Sequence, residues 1–225
     1  KLQLRGVLLG MQKSGKHTLL QRLKGKDPFT ETFSENLNGQ PDRNRVATVP
    51  YMCGPGQACW DRIQLSITAA RIPRFDSGTG ESNPDNRVDF GVVLLDPRQK
   101  PDATREYLSL VVRSLLNHAS ACRNTDDNVH SPPPPLCLCI LLNFRDLKEK
   151  REVKWISESN VKAWTMECLS TDASASWLDA SRLVLTCSEM SLVNCFGLGF
   201  LHHFIYQSYL QRKQWDLEQK VAQVR

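Results

Sequence analysis

Near the amino terminus the apolar run Val7-Leu8-Leu9 leads straight into Gly10-Met11-Gln12-Lys13-Ser14-Gly15-Lys16-His17-Thr18. Seven of the eight positions of the phosphate-loop pattern G-x-x-x-x-G-K-[S/T] are met, from Gly10 to Lys16. The glycines let successive backbone N–H groups curl round an anionic phosphate, and Lys16 is spaced to reach the outer phosphates. Lys13, Ser14 and Gly15 supply the inner curve. The eighth position departs: the hydroxyl that normally ligates Mg²⁺ is replaced by His17. Imidazole is a poor Mg²⁺ ligand beside hard oxygens. Thr18 stands one residue on, about 100° round a helix, so it does not simply substitute.

A second set of residues follows an apolar run further along, Asn143-Phe144-Arg145-Asp146. An aspartate beyond the carboxyl end of a parallel strand can accept two hydrogen bonds from the N1–H and exocyclic amine of guanine. Thr186-Cys187-Ser188 is expected to follow the sixth strand, with the backbone N–H groups of Cys187 and Ser188 near the base oxygen. Phe144 stands either as a stacking surface for the base or as a core residue.

These residues need elements to carry them. A strand at about 2–9 feeds the loop, and Leu19, Leu20 and Leu23 mark the buried face of the first helix, closed by Gly25 and Pro28. Residues 46–53 and 62–70 are expected as a hairpin about Gly54-Pro55-Gly56-Gln57. Strands at 88–95, 136–142 and 182–187 alternate with helices at 104–118, 158–169 and 196–221. Tyr107, Leu108, Val111, Leu115 and Leu116 form one apolar stripe, and Val161, Trp164 and Leu169 another. Near-continuous apolar strands separated by helices predict an α/β fold with a mostly parallel six-stranded sheet and helices on both faces. Polar inserts fall near 36–45, 73–87 and 120–135, the last ending in Pro132–Pro135, which is either a partner ligand or, as the better reading before a buried strand, a stiff spacer.

Composition narrows the classes. The 225 residues suit one large domain, and 40% hydrophobic content suffices for one core. No run of about 18 apolar residues is present, so no transmembrane segment is expected. A net charge of +5, with no arginine-rich run, gives no reason to expect a nucleic-acid partner. The eight cysteines form no C-x-x-C, and Cys137 and Cys139 alternate within a strand as small buried residues. The adjacent His202 and His203 diverge on a helix. A reduced, intracellular chain without metal ligands is the expectation, with no secretory signal at its start and no lipidation cysteine near Arg225.

The phosphate loop together with N-x-x-D resembles a Ras-like small GTPase, whose guanine motif N-K-x-D is matched by Asn143 and Asp146, with Phe144 in the lysine position. The opening Leu2-Gln3-Leu4-Arg5, the stretch from Gln21 to Gly25, the stretch from Leu141 to Asp146, and the tail from Ser188 to Phe204 resemble the Rab-like protein 6 family, the Parf or RBEL type. That resemblance implies a P-loop G domain over 1–205, with 206–225 extending the carboxyl-terminal helix. It implies guanine nucleotide, GTP or GDP, held by Gly10, Lys13–Thr18, Asn143, Phe144, Asp146, Cys187 and Ser188, and regulatory roles in cytoplasm and nucleus.

The metal side departs from the family. The third strand carries no acid where D-x-x-G begins. Asp76-Ser77-Gly78-Thr79-Gly80-Glu81 mimics D-x-x-G-Q-E with one residue too many, and Gln57 lies in a turn. Asp96, ending the fourth strand, either approaches the site from a neighbouring strand or, the preferred reading, caps the loop before Pro97, and no spacing singles out Thr30, Thr32 or Ser34 as the first-switch residue. Mg²⁺ is therefore in question, and no catalytic or metal residue is assigned. The expectation is a degenerate, regulatory binding or scaffold domain with weak or absent hydrolysis. A nucleotide-free interaction protein, with partners at the switch-like loops, inserts or Trp215, Leu217 and Val221, and an active switch with a cryptic metal site are the alternatives.

Overall fold

The computed structural model describes residues 3–23, 45–53, 61–70, 88–124, 135–150, 155–172, 178 and 182–224. Strands β1 (Gln3–Gly10), β2 (Arg45–Cys53), β3 (Asp61–Ala70), β4 (Phe90–Leu95), β5 (Leu136–Leu142) and β6 (Leu183–Glu189) pair in the order β2-β3-β1-β4-β5-β6. Five of them are parallel, and β2 runs antiparallel to β3 at one edge. Helices α1 (Lys16–Leu23), α2 (Pro101–Asn124), α3 (Glu158–Thr171) and α4 (Leu198–Val224) flank this sheet.

Period-two alternation decides which face each strand residue serves. On one face Leu4 and Leu8 of β1, Phe90, Val92 and Leu94 of β4, and Cys137, Cys139 and Leu141 of β5 pack against Leu19 and Leu20 of α1 and Leu201, Phe204 and Ile205 of α4. On the other, Val7, Leu9, Val93, Leu95, Leu138, Ile140 and Leu142 meet Leu108, Val111 and Leu116 of α2 and Val161 and Leu169 of α3. The central strands have no solvent face, which is why they read as unbroken apolar runs. Gly6 is required by a close approach: a Cβ there would sit 2.2 Å from the ring of Phe90. Cys137 and Cys139 are buried on one face, and their thiols resist ionisation, that of Cys137 pushed up to about 12 by desolvation.

Helix boundaries follow local chemistry. Pro101 opens α2, where a missing N–H costs nothing. Ser157 caps α3 in a reciprocal box with Asn160. α2 runs on to Asn124, beyond the 104–118 expected, so the insert expected over 120–135 begins later. β6 continues two residues past Cys187 to Glu189, and α4 starts at Leu198 because Phe196 is engaged in an antiparallel bridge with Ser191. The hairpin turn with Gln57, the D-x-x-G-like stretch at Asp76, the switch candidates Thr30, Thr32 and Ser34, and the helix-ending Gly25 and Pro28 lie outside the described residues.

Candidate nucleotide site

The phosphate loop occupies the connection between β1, which ends at Gly10, and α1, which opens at Lys16. Lys13 at φ 64° and Gly15 at φ 101° are left-handed positions two residues apart. Such alternation bends a backbone into a concave nest of N–H groups. Leu19 N donates to Gly15 O at 3.0 Å as the helix begins, so the opening-turn N–H groups face out of the helix end. Gly10 and Gly15 are sterically fixed. A Cβ on Gly10 would lie 2.5 Å from Ser14 Oγ, and one on Gly15 would lie 2.7 Å from Asn143 Nδ2. Lys16 Nζ donates to the carbonyls of Gly10 and Met11 at 2.7 and 2.8 Å, so the ammonium bridges the loop's own mouth. His17 and Thr18 occupy the first turn of α1, both half-buried.

Asn143 joins three segments. It is buried at the end of β5, its N–H donates to Leu95 O at 2.9 Å, and its Nδ2 donates to Ser14 O of the loop at 3.0 Å. Its Oδ1 accepts from Leu192 N at 3.2 Å, beyond β6. One side chain thus ties the phosphate loop to the two turns that would frame a base. Arg22, at the end of α1, donates from Nη2 to the carbonyls of Leu192 and Val193, each at 3.3 Å, and steadies the same turn.

Asp146 lies in the first turn of a short 3-10 segment, Arg145–Lys150. Its Oδ1 accepts from the fully buried hydroxyl of Ser191 at 2.6 Å, which orients the carboxylate towards the turn after β6. Phe144, at φ 70°, sits between Asn143 and Asp146. A left-handed phenylalanine persists only where its surroundings over-determine it. Here the Arg98 guanidinium stacks on the ring, 4.1 Å from its centroid. Arg98 is in turn clamped by Asp96, whose two oxygens accept from Nε and Nη2 at 2.8 Å each. That carboxylate holds the guanidinium protonated even more firmly than an ordinary arginine. Asp96 Oδ1 also accepts from Arg98 N at 3.0 Å, the turn-capping role expected for it.

Cys187 and Ser188 do not stand where the sequence placed them. Both lie inside β6, paired in register with Ile140 and Leu141, so their backbone groups belong to the sheet ladder. The turn after β6 is instead Met190-Ser191-Leu192-Val193, and Ser191 and Leu192 are the residues that meet Asp146 and Asn143. The strand was expected to stop at Cys187. The serine-rich stretch from Ser188 to Ser191 was the available signal, and its second serine is the relevant one. On the metal side, no cluster of three or more His, Cys, Asp or Glu able to hold an ion is present among the described residues. The glycine cradle and the held carboxylate fit a phosphorylated base; His17 does not fit the loop's usual share of a Mg²⁺ site.

No family model matches this chain, and no curated protein matches it. Among solved structures it is similar to crystal structures of two SsGBP mutation variants, in which a glycine is replaced by serine or by proline. The first is 16% identical with a TM-score of 0.47, the match covering 95% of this chain and 56% of that one. The second is 15% identical with a TM-score of 0.42, covering 91% of this chain and 56% of that one. The chain spans little more than half the length of those structures.

Proposed function

We propose that this chain is a degenerate Ras-like guanine-nucleotide-binding domain of the Rab-like protein 6 type, which holds GDP or GTP with weak or no Mg²⁺-dependent hydrolysis and serves as a regulatory binding or scaffold module in cytoplasm and nucleus. The observation that carries this reading is Asn143, whose amide spans from Ser14 O to Leu192 N. A link of that kind is needed where one ligand contacts both a phosphate loop and a base turn. Lys16 and the opening-turn N–H groups would meet the phosphates, and Asp146 would accept from the N1–H and exocyclic amine of guanine. With His17 in place of a hydroxyl, β/γ charge is poorly neutralised, so GDP is held in preference to GTP.

One observation favours a nucleotide-free interaction protein. Lys16 already gives two of its three N–H donors to carbonyls of its own loop, an arrangement that holds the loop's shape without a phosphate. Denaturing the purified chain and chromatographing whatever is released separates the two readings, followed by titration of GDP and GTP with and without Mg²⁺. Co-purified guanine nucleotide, or GDP binding insensitive to Mg²⁺, supports the proposal. No binding of either nucleotide supports the scaffold reading, and Mg²⁺-dependent turnover supports an active switch with a metal ligand outside the described residues.

A further inference from the structure

We infer that Arg98 and Phe144 together form the stacking wall of the base subsite, the guanidinium fixed behind the ring so that the ring's opposite face receives a guanine base. This inference rests on the nucleotide reading above, and it gives a specificity-determining role to Asp96 and Arg98, which that reading does not use.

Three observations carry it. Arg98 is immobilised rather than merely near: Asp96, 7% exposed at the end of β4, engages Nε, Nη2 and the backbone N–H together. The fixed guanidinium lies 4.1 Å over the Phe144 centroid, so one face of the ring is taken. The two partners of the site come from opposite flanks of β5. Arg98 follows β4 on one side, whereas Asp146 is tethered by Ser191, which follows β6 on the other. A planar base gripped at its edge by Asp146 therefore approaches the face of Phe144 turned away from Arg98. A lysine at position 144 would bring its own charge to the site. Phenylalanine brings none, and a free phenyl ring would have to be ordered on binding. Arg98 orders it beforehand, which lowers the cost of association.

The test is calorimetric titration of the whole chain with GDP, ADP and inorganic pyrophosphate, alongside thermal midpoints, for the parent and for Arg98→Met, Arg98→Lys, Phe144→Tyr and Phe144→Leu. Arg98→Met should weaken GDP by about three- to tenfold, the scale of one side chain ordered on binding. Pyrophosphate, which needs only the loop, should be unaffected, and the preference for GDP over ADP should shrink. Phe144→Tyr should retain GDP, Phe144→Leu should resemble Arg98→Met, and a chain carrying both Arg98→Met and Phe144→Leu should be no worse than Phe144→Leu alone. Arg98→Lys, charged but without a planar face, should fall between. A parent that binds GDP while Arg98→Met binds it equally well, or more tightly, overturns the inference alone. Loss of pyrophosphate binding in step with GDP also overturns it, since that marks a general structural effect. A parent that binds no GDP overturns the nucleotide reading and the inference with it.

Discussion

In the proposed nucleotide site, Asp146 would serve the base and His17 stands where a Mg²⁺ ligand is missing. Asp146 is held by a short hydrogen bond from Ser191, a donor with no exposure of its own. Hydrogen bonds to a charged group contribute about 1.5–3 kcal/mol, so Asp146→Ala should weaken GDP by about tenfold or more. Pyrophosphate binding, measured in the same titration, should not change. His17 presents the converse case. His17→Thr returns a hard oxygen to the first turn of α1, so GTP should bind the variant more tightly with Mg²⁺ than without. The parent should show little difference between the two conditions, as read by competition with a fluorescent nucleotide. Most of this half-and-half character was legible in the sequence, because a missing hydroxyl is a residue type at a fixed spacing. Phe144's partner was not legible. Arg98 lies far away in the chain, and only the adjacency of β4 and β5 brings it over the ring.

Strands were the most legible elements and turns the least. Leu136–Leu142 stands where its apolar alternation put it, with Cys137 and Cys139 sharing a face. A parallel strand buried on both sides leaves little doubt about its limits when polar residues bound it. β6 is different: Ser188 and Glu189 are polar yet still paired with β5, and the strand ends two residues later than its composition suggests. The turn after β6 is therefore Ser191-Leu192 rather than Cys187-Ser188. The bridge between Ser191 and Phe196 had no local signature, and it delays the start of α4. At Gly6, β1 leaves no room for a side chain beside the Phe90 ring of β4. Gly6→Ala forces the methyl group into the Phe90 ring and should destabilise the chain by about 1–3 kcal/mol in denaturant unfolding. Phe90→Leu in the same chain should recover part of that loss, whereas independent sites would add.

At the scale of the whole molecule, α4 packs across one face of the sheet and is tied to the starts of β4 and β6. Its first half is core, with Leu201, Phe204, Ile205, Ser208 and Tyr209 buried. Its second half is pinned by ion pairs, Arg212 to Asp89 at 3.3 Å and Glu218 to Arg182 at 2.8 Å. The Arg182 guanidinium, by hydrogen bonding, holds the Glu218 carboxyl below its ordinary 4.5. A carboxylate depressed in the folded state adds stability above its unfolded value and loses it as the folded group protonates. The thermal midpoint should therefore fall as pH drops below about 4.5. Glu218→Gln should remove that part of the slope while leaving GDP affinity at neutral pH unchanged. None of the helices in the described residues is long and apolar enough to cross a membrane.

α4 leaves the turn after β6 immediately after Gly197 and runs 27 residues back towards the opposite end of the strands, where Asp89 and Arg182 precede β4 and β6. At 1.5 Å per residue that is a rod of about 40 Å. Because a helix resists stretching far more than it resists sliding, α4 is a single stiff strut between the Ser191–Phe196 turn and the ion pairs at Arg212 and Glu218. A probe fixed near residue 218 should therefore shift only when the whole helix slides against the core that holds Leu201, Phe204 and Ile205.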